Sequence, residues 1–346
     1  MFVRFACRFG VIAIVIFCTW YSLARNIHHT CDNLPEALYV HPVHLPSRLP
    51  VVSREPRPAF APRIRLLPHA LCETNISVIF VVHSDVRNNV QRQFQRKQLN
   101  DDWLEKLNAR RVFVIGSSAQ NTDKYEKEAA KYNDLLQVDT IEHYHNITYK
   151  AQAWIQVLTS CTQTPQFIIK LDDDVMVDRT GVEYLVKRYG ASKRVLGCRV
   201  LQHGTVVRNP SSKWQVFRVL VMYLSTYEYR GSDLGTYCQG MAYVFSGDHL
   251  RHMRENIPRV QFLWMDDWYV TRGLLSGSNA TILDLSEHYC STNSDEELDA
   301  WIVRKQTDRK PQRTIFAHFR PADRFTLKRS TQKWKEIAVL NDKCII

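Results

Sequence analysis

Residues 167–178, FIIKLDDDVMVD, decide how the rest of the chain is read. Four of the first five are apolar, and the β-branched Ile168 and Ile169 predict a strand buried on both faces rather than a solvated, alternating one. The strand runs into three carboxylates, Asp172, Asp173 and Asp174. Two like charges about 4 Å apart repel by roughly 1 kcal/mol in water and nearer 4 at an effective dielectric of 20. Such a cluster at the mouth of a buried strand calls for a cation, and a hard divalent ion, Mg²⁺ or Mn²⁺, suits it and keeps positions open for substrate phosphates. The simpler alternative is a solvated turn, with Asp178 and Thr180 capping a helix over Gly181–Tyr189.

The 346 residues allow one large α/β domain or two small ones, and 45% apolar content makes a real core attainable. A formal charge of +11 permits nucleic-acid binding, but the basic residues are scattered, with no stripe and no aromatic-interleaved motif, so nucleic acid is not expected as a partner. A basic surface serves an anionic small substrate or a membrane face equally well.

The amino terminus favours the membrane. Arg4 and Arg8 precede Phe9–Ala24, sixteen residues without a formal charge, and Arg25 closes the run. As a helix this spans about 24 Å, close to the thinner membranes of the early secretory pathway. The reading is a cytosolic tail (1–8) and a transmembrane signal-anchor (9–25) oriented by its basic tail. A cleaved signal peptide is the alternative, since Ser22-Leu23-Ala24 loosely fits a cleavage site, whereas Trp20 and Tyr21 suit a membrane interface. Either way the remainder enters a lumen. Three sequons agree, at Asn75, Asn146 and Asn279, while Asn209 is disqualified by its following proline. Seven cysteines lie beyond the anchor, an odd number, and none is in a CxxC spacing. Cys31, just outside the membrane, either links two chains into a homodimer or stays a free thiol.

Residues 26–70 hold eight of the thirteen prolines and predict an extended stem, with regular sheet and helix forbidden. The folded domain (71–346) is expected to begin near Cys72. Strands are predicted at Ser77–His83, Arg111–Ile115, Leu135–Val138 and Phe167–Leu171, alternating with helices at Asn89–Lys106, Asp123–Tyr132 and Tyr149–Ser160. That alternation predicts a mostly parallel sheet covered on both faces, with ligands beyond the carboxyl ends of its strands. Further strands are expected at Arg194–Val200, Tyr243–Ser246 and Ala280–Leu285, and a helix at Asp248–Asn256. FLWMDDWYVTRGLL, residues 262–275, buries an acidic pair in an apolar helical run, which costs several kcal/mol unless the pair faces a cleft or a partner. No phosphate loop, dinucleotide fingerprint, serine-hydrolase elbow or HExxH helix is present.

The order of these motifs resembles the β-1,3-glycosyltransferases of the galactosyltransferase/Fringe superfamily (family 31-like), over residues 77–334. Arg92 and Arg96 resemble the family's R-x-x-x-R-x-T-W helix, with Gln98 and Leu99 in place of its Thr and Trp. YNDLLQVDTIEHYHNITYKAQAW (132–154) is similar to the family's YGDIIQ segment with its N-L-T-x-K, and KLDDDVMVD to K-x-D-D-D-x-F-V. TYCQGMAYVFS (236–246) resembles Y-C-x-G-x-x-Y-V-L-S, and Asp266–Val270 resembles E-D-V-Y-V with Trp268 a departure. Ala317–Pro321 with Trp334 resembles the closing V-H-x-x-K-P…W.

The resemblance implies a type II Golgi membrane enzyme with a Rossmann-like GT-A fold. It would transfer a hexose or N-acetylhexosamine, galactose favoured, from a UDP-sugar to a glycolipid or glycoprotein glycan in β-1,3 linkage, with inversion. It implies Mn²⁺, or Mg²⁺, held by Asp174, Asp172 and His318, with Asp172, Asp173, Arg92 and Arg96 on the nucleotide side. Arg92 and Arg96 either hold phosphates or brace the first strand, and Asp173 is either turn structure or an aid to the nucleotide. Asp267 is expected to be the catalytic base, with Asp266 as second choice. Two rivals remain: an inactive transferase fold serving as a lumenal chaperone or lectin, and a Golgi sulfotransferase.

Overall fold

The computed structural model describes residues 42–44, 62–72, 76–118, 122–204, 206, 224, 228–308, 312–319 and 327–342. The expected tail and anchor, Cys31, Asn75, Arg320 and Pro321 lie outside them. Among the described residues no helix is long and apolar enough to cross a membrane.

The first half runs β1 (Pro42–His44), β2 (Ile64–Leu66), β3 (Val78–His83), α1 (Asn89–Gln98), α2 (Asp101–Lys106), β4 (Ala109–Ser117), α3 (Thr122–Tyr132), β5 (Leu135–Ile141), α4 (Ile147–Ser160) and β6 (Phe167–Asp172). It continues through β7 (Met176–Val177), α5 (Arg179–Tyr189), β8 (Val195–Leu201), β9 (Tyr237–Ser246), α6 (His249–Asn256) and α7 (Asp266–Trp268). β10 (Thr281–Asp284), β11 (Tyr289–Thr292), α8 (Asp295–Thr307), β12 (Phe316–Phe319) and α9 (Leu327–Asp342) complete it.

The main sheet has the order β1-β10-β8-β9-β6-β3-β4-β5-β2. Its centre, β6-β3-β4-β5, is parallel, as the strand–helix alternation predicts. Beyond that centre β8 and β10 keep the same direction, so the sheet is mostly parallel as expected, and the exceptions are β9, antiparallel between β6 and β8, and the two edge strands. The cause is local. β9 begins at Tyr237 opposite Leu201, where β8 ends, so the chain re-enters the sheet without the crossover that a parallel neighbour needs.

Period-two alternation sorts the core into two layers. Val78, Phe80, Val82, Phe167, Ile169 and Leu171 face one layer. Ile79, Val81 and Ile168 face the other, against Trp154 of α4 and Trp268 of α7. Each such side chain contributes roughly 1.5–3 kcal/mol when fully buried.

Three expectations are corrected. The single helix Asn89–Lys106 is two, because the Asn100 side chain accepts the Trp103 N–H at 3.0 Å and starts a second helix with Asp101 and Asp102 in its first turn. The proline-rich stretch does enter the sheet, since β1 and β2 are both drawn from it, so the folded part begins before Cys72. Both are edge strands, where a missing N–H is tolerated. A second, small sheet, β11-β12-β7, was not expected. Asp178 does cap α5, accepting the Gly181 N–H at 2.8 Å.

Disulfides join Cys72 to Cys161 and Cys198 to Cys238, and Cys290 is a buried free thiol. The second bridge ties β8 to the start of β9. Replacing Cys198 and Cys238 together by Ser is expected to destabilise the domain by about 2–4 kcal/mol, read as a lower urea midpoint; an unchanged midpoint would show that the bridge does not hold this pair of strands.

Candidate active site

The alternation that builds the core also separates the aspartates. Residues 168, 170 and 172 of β6 share a face, so Asp172 follows Lys170 to one side of the sheet. Asp173 turns the other way, where its Oδ2 accepts from Ser84 Oγ at 2.6 Å and Asn88 Nδ2 at 3.1 Å. Burial pushes its pKa up to about 7.

Lys170 is the residue that the sequence reading overlooked. Its side chain is 1% exposed, yet it carries an ammonium that donates to Asp172 Oδ1 and to the Gly240 carbonyl, both at 2.6 Å. Asp266 Oδ2 lies 3.7 Å from the same Nζ, and the ring of Tyr243, its registered partner on β9, is 5.5 Å away. Burial opposes its charge, but the Asp172 and Asp266 carboxylates raise its pKa, so it stays protonated. The chain thus supplies its own cation to the acidic cluster. The signal was available: a lysine at an inward position of a strand that is otherwise apolar.

Asp266 and Asp267 open α7, which widens into a π turn at Tyr269–Gly273, a feature frequent at functional sites. Both are buried. Asp266 Oδ2 lies 3.4 Å from His83 Nδ1. The other ring nitrogen of His83, Nε2, accepts the Trp154 indole N–H at 3.0 Å. Burial, reinforced by Lys170, lowers the His83 pKa to about 4, so the ring is neutral with its proton on Nδ1, facing Asp266. Burial alone would raise Asp266, but Lys170 and His83 hold it down at about 2. Asp267 is driven the opposite way, to about 7, by burial and by the charge of Asp266. Its Oδ1 accepts the Trp268 N–H at 2.8 Å. Adjacent carboxyls whose surroundings push their pKa values apart can divide an acid and a base role between them, and structural ion pairs shift pKa values in the same way.

The second sheet explains the late histidine. Antiparallel pairing of β12 with β7, Ala317 opposite Met176, carries His318 back to the acidic triplet, and its Nε2 lies 2.9 Å from Asp174 Oδ2. Side-chain exposure is 32% for Asp174 and 37% for Asp172, so both reach solvent. Among the described residues no three acids, histidines or cysteines gather as a metal cluster. Asp174 and His318 meet, while Asp172 is turned onto Lys170.

Arg92 touches this edge only through Ser84, whose Oγ accepts from its Nη1 at 3.1 Å, and its other bonds and those of Arg96 run into the fold. Arg92 donates twice to Glu128, at 2.9 and 2.7 Å, and to the Asp85 carbonyl at 2.6 Å, and Arg96 pairs with Asp134 and Glu128. Their donors are spent inside the fold. Of the sequons, Asn279 is exposed with φ 53°, and Asn146 donates to the Ile141 carbonyl at 2.9 Å. A cavity of about 310 Å³ lies elsewhere, at the amino end of β4, lined in part by Pro68, Leu71, Arg110 and Arg111.

The sign of one pH effect follows. Asp267 holds its proton more tightly folded than unfolded, so from about pH 4 to 7 it makes stability fall as pH rises. Asp267→Asn removes that loss. The variant is expected to gain on the order of a few kcal/mol over the parent at pH 8 and little at pH 4; a gap in melting temperature that does not widen with pH would show Asp267 to be ionised throughout.

Residues 94–285 match the family model described as Galactosyltransferase, a span that contains both acidic groups and ends before His318. The mouse β-1,3-galactosyltransferase 1 is 24% identical over 208 residues, which is 58% of this chain and 60% of that protein. The human β-1,3-galactosyltransferase 5 is 24% identical over 208 residues, 59% of this chain and 64% of its own. The chain therefore spans less than two thirds of the length of either relative. Among solved structures, a galactosyltransferase in complex with donor and acceptor sugar analogues aligns with a TM-score of 0.37 and 10% identity, over 75% of this chain and 95% of its own.

Proposed function

The chain belongs to the galactosyltransferase family, and on that premise we propose that it transfers a hexose or N-acetylhexosamine, galactose first, from a UDP-sugar to a glycan acceptor in β-1,3 linkage with inversion, on a GT-A-type fold. The observation that carries this reading is the buried carboxyl pair at the start of α7: Asp266, held ionised by Lys170 and His83, stands beside Asp267, whose pKa burial and that neighbouring charge raise toward the range of a general base. In the step, the acceptor hydroxyl oxygen bonds to the anomeric carbon. The bond from that carbon to the diphosphate breaks, its electron pair leaves with UDP, and the hydroxyl proton passes to Asp267. Asp266, fixed by Lys170 and His83, keeps its charge and so keeps Asp267 basic.

A divalent ion fits the other half of the site in part. Asp174 and His318 offer a carboxylate oxygen and an imidazole nitrogen within 2.9 Å of each other, a donor set suited to Mn²⁺ or Mg²⁺ with positions left for phosphate oxygens. When bound there, the ion would neutralise the charge that develops on departing UDP. Asp172, held by Lys170, is assigned to the nucleotide side. Arg92 and Arg96 are assigned to bracing the β3–α1 segment, and Asp173 to the turn.

Both disulfides, together with the sequons, support an oxidising lumen, and a single-pass Golgi anchor over residues 9–25 with a stem behind it accords with them. Acceptors are glycans of glycolipids or glycoproteins presented at that membrane.

The test uses the full chain with UDP-galactose, UDP-N-acetylglucosamine and UDP-N-acetylgalactosamine and simple glycan acceptors, with released UDP as the readout. One donor is expected to turn over, with the rate rising through about pH 7, and Asp267→Asn is expected to lose about 10²–10⁴-fold in kcat while still binding UDP. Full transfer by that variant removes Asp267 from the reaction; transfer that survives chelation by EDTA removes the ion; release of UDP from none of the donors removes the function.

A further inference from the structure

The pairing of β8 with β9 breaks where it reaches the site. Cys198 faces Tyr243, but Val200 faces Cys238, so the stretch from Gln239 to Ala242 is left opposite Arg199 alone. Gln239, Gly240 and Met241 also have no registered partner on β6. Bulges of this kind bend a strand and re-aim its side chains, and they recur beside active sites.

This bulge is held at every corner. The Cys198–Cys238 disulfide closes one end. Thr271 Oγ1 accepts the Cys238 N–H at 3.0 Å and donates to the Asp267 carbonyl at 2.6 Å. Lys170 donates to the Gly240 carbonyl, and a Cβ at Gly240 would stand 3.2–3.3 Å from the Asp267 side chain. Any larger residue would push on the Asp267 side chain by a few tenths of an ångström.

Gln239 sits in this frame with half its hydrogen bonding unmet. Its Nε2 reaches Ser291 Oγ at a long 3.4 Å, and its Oε1, shielded from solvent, has no partner. An orphaned buried acceptor is costly to keep, and a rigid one is met only by an incoming donor. The neighbours say where that donor would be. Gln239 is flanked by Gly240, which abuts Asp267, and by Ser291, whose strand partner His318 contacts Asp174, and on the function proposed above the transferred sugar would lie in that interval.

Resting on the function proposed above, we propose that Gln239 is the residue that reads the transferred sugar, its carboxamide oxygen accepting a ring hydroxyl of a neutral hexose. A uronic acid is disfavoured, because its carboxylate would enter beside Asp172, Asp174 and Asp266. A site built to hydrogen-bond a hydroxyl rejects donors that lack it in that position more strongly than an apolar wall does.

The experiment compares the full chain with Gln239→Ala and Gln239→Glu, measuring UDP and UDP-sugar binding by calorimetry and kcat/KM over UDP-galactose, UDP-glucose, UDP-N-acetylglucosamine and UDP-glucuronic acid. Gln239→Ala is expected to bind UDP within about two-fold of the parent, to lose at least about ten-fold in kcat/KM for the preferred donor, and to flatten the ranking of the others. Gln239→Glu, of nearly the same shape, keeps an acceptor and is expected to retain more of that preference than Gln239→Ala. An unchanged ranking in Gln239→Ala overturns the inference, as does a loss of UDP affinity as large as the loss of sugar discrimination. Failure of the parent chain to bind or use any UDP-sugar overturns the underlying function as well, and shows in the parent's data alone.

Discussion

One buried ammonium organises the acidic centre of this domain. Lys170 has no water to solvate it, so its charge is met by Asp172, by the Gly240 carbonyl and, a little farther off, by Asp266. Removing a partner from a buried ion pair typically costs 3–5 kcal/mol, because the remaining charge is left uncompensated. That penalty makes the arrangement all or none. β6, β9 and α7 have to meet in one geometry, since any other strands the ammonium or one of the carboxylates in the core.

The rest of the fold follows from satisfying that centre on three sides. β9 lies antiparallel beside β6, which sets Tyr243 across from Lys170 and brings the Gly240 carbonyl within reach. α7 starts with Asp266 over His83, a neighbour on β3, and His83 is fixed by the indole N–H of Trp154 from α4. The small second sheet does the corresponding work for Asp174, by returning His318 from a point 144 residues later in the chain. The permanent cation inside the sheet is thereby kept apart from the rim, where the Asp174 carboxylate and the His318 imidazole meet in partial exposure.

The sequence carried much of this plainly and some of it not at all. The alternation of β-branched strands with helices gave the parallel centre, because both faces of those strands are covered and their apolar runs are unbroken. The antiparallel β9 was hidden, since strand direction depends on where the connection re-enters the sheet and not on composition. Asp266 and Asp267 stood out as acids in an apolar run. Lys170 did not, because a basic residue ahead of three acids reads as ordinary charge balance until strand periodicity places it inward. Arg92 and Arg96 were ambiguous for a related reason: Glu128 and Asp134, which consume them, lie on elements that only tertiary packing brings near. His318 was legible as one motif among several, but its partner was set by β12 and β7, strands too short to show a period.

Part of the domain's unmet hydrogen-bonding capacity lies at the candidate site, while other buried atoms, Gln152 Oε1, His249 Nε2 and Arg272 Nε among them, are unmet away from it. His83 Nδ1, Tyr243 OH, Asp266 Oδ2 and Gln239 Oε1 are all buried and lack a partner of normal hydrogen-bond geometry. Native domains rarely leave such groups in a core, because each costs about 1–3 kcal/mol. Tyr243 shows the same tension, its hydroxyl pKa pushed well upward by burial and by the neighbouring carboxylates, so it remains a donor. The stability withheld at this point is offset by the two wide apolar layers on either side of the sheet and by the disulfide that pins β9. A frame that rigid can keep donors and acceptors aimed at a position that only a polar ligand completes.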